Sequence, residues 1–120
     1  DAAAAAGDPI IMGAPNVVRG GSHLGAIGAE DSVRQGKCSI LASDYYYPAP
    51  LAAALDLWRR RVLPLECAWS LVSMAPAAAA GLRDRGCIAE GQRADLVVLP
   101  VNGSRPIATI TAGRAVYRSA

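Results

Sequence analysis

Phenylalanine is absent from this chain of 120 residues, and there is one histidine, His23, and one lysine, Lys37. A metal site built from several histidines therefore cannot be completed from these residues. Three cysteines are few and odd in number, which argues against a disulfide scaffold. A formal net charge of +2 is too small for a nucleic-acid surface, so no nucleic-acid partner is expected. No run of about 18 apolar residues escapes polar interruption, so no membrane-spanning helix and no membrane partner are expected. The stretch Asp1–Gly7 has neither the basic start nor the leucine-rich centre of a secretory leader. The expected compartment is the cytoplasm, where Cys38, Cys67 and Cys87 stay as thiols. What the chain does have is 52% hydrophobic residues and 25 alanines. That composition excludes a disordered chain and suits one folded domain, or part of a larger one.

Punctuation by Gly and Pro divides the chain. Asp1–Ala6 is helical by propensity and Gly7 suits its closure, although six residues are too few for an independent helix. The chain is thus expected to open inside a helix. Pro9–Gly13 is an apolar run that predicts a buried strand, broken by Ala14-Pro15-Asn16 and followed by a loop over Val17–His23. Leu24–Gln35 predicts a short helix ended by Gly36, and Cys38–Ala42 a second buried strand. Apolar runs without alternation suit a parallel sheet covered on both faces, yet two strands alone would leave unpaired edges. Leu51, Leu55, Trp58 and Val62 form one helical stripe, with Arg59–Arg61 at its solvated end. Pro64 opens a helix bearing Leu65, Ala68, Trp69 and Val72 on one face, and Ser73 caps a third that runs to about Ala80 before Gly81. Strands are predicted over Ala94–Val101, Pro106–Thr111 and Arg114–Arg118. Trp58 and Trp69 are expected in the core, and Tyr45-Tyr46-Tyr47 between helices, the alternative being that the run lines the mouth of a site.

Two places suit chemistry. Asp44 follows an apolar strand directly. Carboxylates at that end of a barrel strand bind metals or take a proton from an attacking water. The alternative is a turn residue, which Asp favours for local reasons. The loop Arg19-Gly20-Gly21-Ser22-His23 offers a guanidinium fork, close backbone approach, a hydroxyl and a titratable ring, a set that suits a phosphate chain. A glycine turn with a surface arginine is the competing reading. No cysteine has the spacing of a zinc knuckle or of a thiol nucleophile with its histidine.

The stretch Gly86-Cys87-Ile88-Ala89-Glu90-Gly91-Gln92-Arg93-Ala94-Asp95-Leu96-Val97 resembles the closing signature of the amidohydrolase superfamily. The twelve residues from Met12 to His23, followed by Ser43-Asp44-Tyr45, are similar to its phosphonate-metabolism branch. The loop departs from that branch at Leu24 and Ala26, where a serine and an asparagine are common, and Ala75-Pro76-Ala77 stands where Asn-Pro-Ala is frequent. The resemblance implies an α/β fold: a C-terminal fragment of a distorted (β/α)8 barrel with a short β tail. Residues 1–85 would be the last two βα units and the terminal helices, and residues 86–120 the C-terminal strands of a small β-sandwich. A complete barrel takes about 250 residues, so most of one would lie upstream.

The resemblance further implies a metal-dependent hydrolase that removes pyrophosphate from a ribosyl triphosphate. Asp44 would be the metal ligand and catalytic proton acceptor. Asn16, Arg19, Gly20, Gly21, Ser22 and His23 would bind substrate. The cofactor would be a divalent ion, zinc, manganese or iron, with most of its ligands outside this chain. The expected partners are the missing barrel part, or a second copy through self-association such as a homodimer. The 120 residues alone are expected to be inactive. Two other readings stay open: a superfamily member acting on a C–N bond, and a non-catalytic self-associating module.

Overall fold

The structure is a computed structural model, and it describes residues 2–20 and 28–120. Helices and two strands are interspersed along the chain, which closes on three strands. In order they are α1 (Ala2–Ala6), β1 (Ile11–Gly13), α2 (Ala14–Val18), α3 (Ala29–Arg34), β2 (Ile40–Ala42), α4 (Ala49–Arg59), α5 (Leu65–Ser70), α6 (Met74–Ala79), β3 (Leu96–Val98), β4 (Ala108–Thr111) and β5 (Arg114–Arg118). Among the described residues the fold is mixed α/β with two small sheets.

β1 and β2 pair in parallel, with Met12 opposite Leu41. Ser39 secures the approach, its hydroxyl accepting from the Ile10 N–H at 3.2 Å. The expected open edge is partly closed. On the far side of β2, the Leu41 N–H donates to the Leu71 carbonyl at 2.9 Å, so the turn after α5 takes the place of a further strand there.

The main surprise follows β1. The expected break at Ala14–Asn16 and loop from Val17 are instead the helix α2, with Gly13 as its N-cap. Pro15 does not break it, because the first turn of a helix has no use for the proline N–H and its fixed φ already suits the helix. Ala14, Pro15 and Val17 are buried there. Of the predicted helix Leu24–Gln35, Ala29–Arg34 is seen, and the part before residue 28 lies outside the described residues.

The core forms where α2, α3, α4 and β2 meet. Leu57 and Val17 are its largest fully buried side chains, surrounded mostly by alanine. The buried residues of α4 are Ala49, Ala53, Ala54, Leu55 and Leu57: Leu55 of the expected stripe is buried, but the face turned to the core cluster is the alanines with Leu57. Small side chains let α2 and α4 approach closely, which leaves Trp58 36% exposed on another face. Trp58 is therefore not a core residue. The tyrosine run is not packed between helices either, since all three rings are exposed. Ser73 does stand at the N-cap of α6, but its hydroxyl donates to the Trp69 carbonyl at 2.9 Å instead of capping.

Glu30 ties α3 to α4. Its carboxylate accepts a fork of contacts from Arg60, at 2.7 and 3.0 Å, and also pairs with Arg34. Burial works to raise its pKa, but the hydrogen bonds from Arg34 and Arg60 outweigh it and hold the carboxyl below its ordinary value.

β3, β4 and β5 make an antiparallel meander, with a register shift at Thr109/Ile110. The β4–β5 hairpin turns on Ala112 and Gly113, both at positive φ. Asp95 holds this turn, its Oδ1 accepting from the Ala112 N–H at 2.8 Å. That bond gives a structural reason for the aspartate in Ala94-Asp95-Leu96.

Candidate functional site

Asp44 lies two residues past the end of β2, as expected, and its φ is +54. Aspartate tolerates this left-handed conformation better than most residues, and such conformations concentrate where function holds them. The turn continues through the Tyr46 N–H, which donates to the Ser43 carbonyl at 3.0 Å. Asp44 is exposed. Among the described residues its carboxylate has no hydrogen bond and no salt bridge.

The parallel strands bring Asp44 beside the end of β1. A Cβ placed on Gly13 would lie 3.4 Å from Asn16 Nδ2 and 3.7 Å from Asp44 Oδ2. Glycine at 13 thus leaves a methyl-sized gap flanked by an amide and a carboxylate. Asn16 is positioned by the first turn of α2 and is exposed.

Arg19 joins this group from the other end of α2. Its backbone N–H donates to the Pro15 carbonyl at 3.0 Å and closes the helix. Its guanidinium carbon sits 5.4 Å from the centre of the Tyr45 ring. Gly20 follows at φ +75, but its N–H donates to the Val17 carbonyl at 3.2 Å, so it makes a turn and is not a free donor. Gly21, Ser22 and His23 lie outside the described residues.

Asn16, Arg19 and Asp44 therefore share the C-terminal end of the two-stranded sheet, with Gly13 and Tyr45 as neighbours that the sequence reading did not assign. A glycine closing an apolar strand was the available signal for the first. Nothing in the run of three tyrosines singled out the second.

A single exposed carboxylate is a suitable oxygen donor to a divalent cation but falls short of a site. Among the described residues, no three His, Cys, Asp or Glu side chains gather to hold a metal ion. Cys38 is buried, and burial pushes its thiol pKa up despite the bond from its Sγ to the Ile40 carbonyl, so it is not a thiolate at neutral pH.

An open groove of about 980 Å³ lies elsewhere, between the helices and the β tail, lined by residues such as Leu55, Trp69, Leu96 and Ile110. Its aspartate, Asp95, is already engaged by the Ala112 N–H and by Arg93 at 3.1 Å. The groove is mostly apolar, with Glu66 and Cys87 also in its lining, and chemistry favours the strand ends, where Asn16 and Asp44 converge at Gly13.

Residues 42–117 match the amidohydrolase family. The chain belongs to that family. It is also 48% identical, over 93 residues, to alpha-D-ribose 1-methylphosphonate 5-triphosphate diphosphatase of Escherichia coli (strain K12). That match covers 74% of this chain and 24% of the relative, so the chain spans about a quarter of the protein it resembles. The amidohydrolase match begins at Ala42 in β2, two residues before Asp44, and extends to Tyr117 in β5. It therefore includes Asp44, Gly86, Gly91 and Asp95, whereas Gly13, Asn16 and Arg19 precede it.

Proposed function

We propose that this chain contributes the closing part of a metal-dependent phosphoanhydride hydrolase, one that removes pyrophosphate from a ribosyl triphosphate of phosphonate metabolism. The observation that carries the reading is the meeting of Asn16 and Asp44 across Gly13 at the ends of parallel strands. The 48% identity to the diphosphatase supports the substrate class. In this reading residues 1–85 form the last two βα units and terminal helices of a barrel, and residues 86–120 strands of its companion sandwich. The remaining metal ligands come from further barrel residues, and the compartment is the cytoplasm.

A divalent ion, zinc, manganese or iron, would take Asp44 as one oxygen ligand and supply Lewis-acid polarisation of phosphoryl oxygens. Asp44 receives the proton of the water that attacks the α-phosphorus, and the α–β phosphoanhydride bond breaks. The Asn16 amide donates to a phosphoryl oxygen, and the Arg19 fork balances charge on the leaving pyrophosphate. Gly20 provides the turn that carries the chain into Gly21, Ser22 and His23, which contact the phosphate chain.

The test is a hybrid enzyme. The matching stretch of the E. coli relative is replaced by these residues and pyrophosphate release from the ribosyl triphosphate is measured. The hybrid is expected to turn over, and Asp44→Asn to lower kcat at least a hundredfold, in the range seen when positioned acid–base groups are removed. The 120-residue chain alone is expected to release none. Turnover of cyclic amides but not of the triphosphate would move the assignment to C–N bond hydrolysis.

A further inference from the structure

Most of the arginines with a defined partner in this chain are neutralised by acids. Arg34 and Arg60 pair with Glu30, Arg85 with Asp84, and Arg93 with Asp95. Arg19 is different. Its guanidinium has no carboxylate and no hydrogen-bond acceptor among the described residues, and its contact is the face of the Tyr45 ring at 5.4 Å. That contact has a chemical consequence. The ring's quadrupole attracts the cation but uses none of its five N–H donors. A salt bridge would hold the side chain equally well but would spend the charge and the fork. An aromatic face holds it and leaves both for a ligand.

The backbone explains why Tyr45 is in place. Asp44 at φ +54 redirects the chain immediately after β2, and the next ring lies under the side chain that ends α2. Tyr45 is 63% exposed, so the contact is not a by-product of core packing.

We infer that Tyr45 is a positioning residue that holds the Arg19 fork at the strand ends as an oxyanion clamp for phosphate or pyrophosphate. The inference rests on reading this end of the sheet as the phosphate site, and it assigns Tyr45 a role that acts through Arg19.

Pyrophosphate binding to the 120-residue chain tests it, by calorimetry at low ionic strength where an exposed charge is least screened. Wild type binds and Arg19→Ala loses most of the affinity. Tyr45→Leu weakens binding roughly two- to fivefold, the size expected of an exposed cation–π contact, while Tyr45→Phe retains it. In the Arg19→Ala background Tyr45→Leu costs nothing more. Melting curves for the Tyr45 variants match wild type, because the ring is exposed.

Three outcomes overturn the inference: no pyrophosphate binding by wild type, an unchanged affinity in Tyr45→Leu, or the same loss with and without Arg19. Binding involves no turnover, so its failure is separable from that of the proposed reaction. A coupled pair in a chain whose hybrid releases no pyrophosphate refutes the diphosphatase reading alone. An uncoupled pair beside an active hybrid refutes this one alone.

Discussion

Gly86 and Gly91 occupy equivalent places in the sequence signature, but their surroundings differ. Gly86 has φ +100, and a Cβ there would lie 3.0 Å from the Met74 Cα, 3.1 Å from the Ala77 Cβ and 3.3 Å from the Ser73 carbonyl oxygen. Gly91 has φ +81 with nothing within 4 Å. Gly86 is thus a close approach of the tail to the start of α6, while Gly91 is a turn. Alanine at either site carries backbone strain of order 1–3 kcal/mol, offset by about 0.4–1 kcal/mol because the unfolded chain loses freedom. Only Gly86→Ala adds a steric cost, typically about 1–3 kcal/mol, because the obstacles are backbone and a short side chain that cannot rotate away.

The expected losses are therefore about 3 kcal/mol for Gly86→Ala and about 1 kcal/mol for Gly91→Ala. For a chain of this length that means Tm decreases of roughly 10–15 °C and 3–5 °C. Thermal melts followed by far-ultraviolet circular dichroism, on both variants side by side, read the difference directly. Equal decreases would refute the reasoning, because the strain is common to both and only the contact with α6 is not. A larger loss in Gly91→Ala would refute it more strongly.

Two further outcomes concern the core and the ion pairs. Leu57→Ala removes the largest fully buried side chain from a core otherwise rich in alanine, which has little slack to refill the space. The expected destabilisation is about 3 kcal/mol, in the middle of the range for such truncations, measured by urea unfolding. Glu30→Gln breaks the link between α3 and α4. A carboxyl held below its ordinary value of 4.5 contributes stability above that pH and loses it as pH falls through the lowered value. The Tm gap between wild type and Glu30→Gln is expected to be full at neutral pH and to close in acid, as pH falls through the lowered value. A gap that stays constant into acid would remove the charge from the explanation.

The strands and the order of elements were legible because apolar runs bounded by Gly and Pro carry that information locally. Arg114–Arg118 matches its strand end to end, whereas Ala94–Val101 is trimmed to Leu96–Val98. The helix α2 was not legible, because Pro15 and Asn16 read as breakers until their place in a first turn is known. The face of α4 was misjudged for a related reason. Hydrophobicity favours Leu51, Leu55 and Trp58; Leu55 is buried, but the side turned to the core cluster is Ala49, Ala53, Ala54 and Leu57, and Trp58 stays partly exposed. At the site, Asp44 could be placed from its position after a strand. The gap at Gly13 and the Arg19–Tyr45 contact could not, because both depend on how two strands separated by 26 residues align.

α4 also determines which perturbations reach the site. One face, through Ala49, Ala53 and Leu57, packs against α2, and α2 carries Asn16 in its first turn and Arg19 at its end. Another face presents Leu55 and Trp58 to the apolar groove beside the β tail. Loosening the first face moves the base on which the Arg19 fork stands. Loosening the tail moves the far wall of a groove that contains none of Asn16, Arg19, Asp44 or Tyr45. Two variants of similar cost should therefore diverge in function. At a temperature where both remain folded, Leu57→Ala should weaken pyrophosphate binding more than Gly86→Ala does, since α4 packs directly on α2, whereas Gly86 reaches the strand ends indirectly, through α6 and β2.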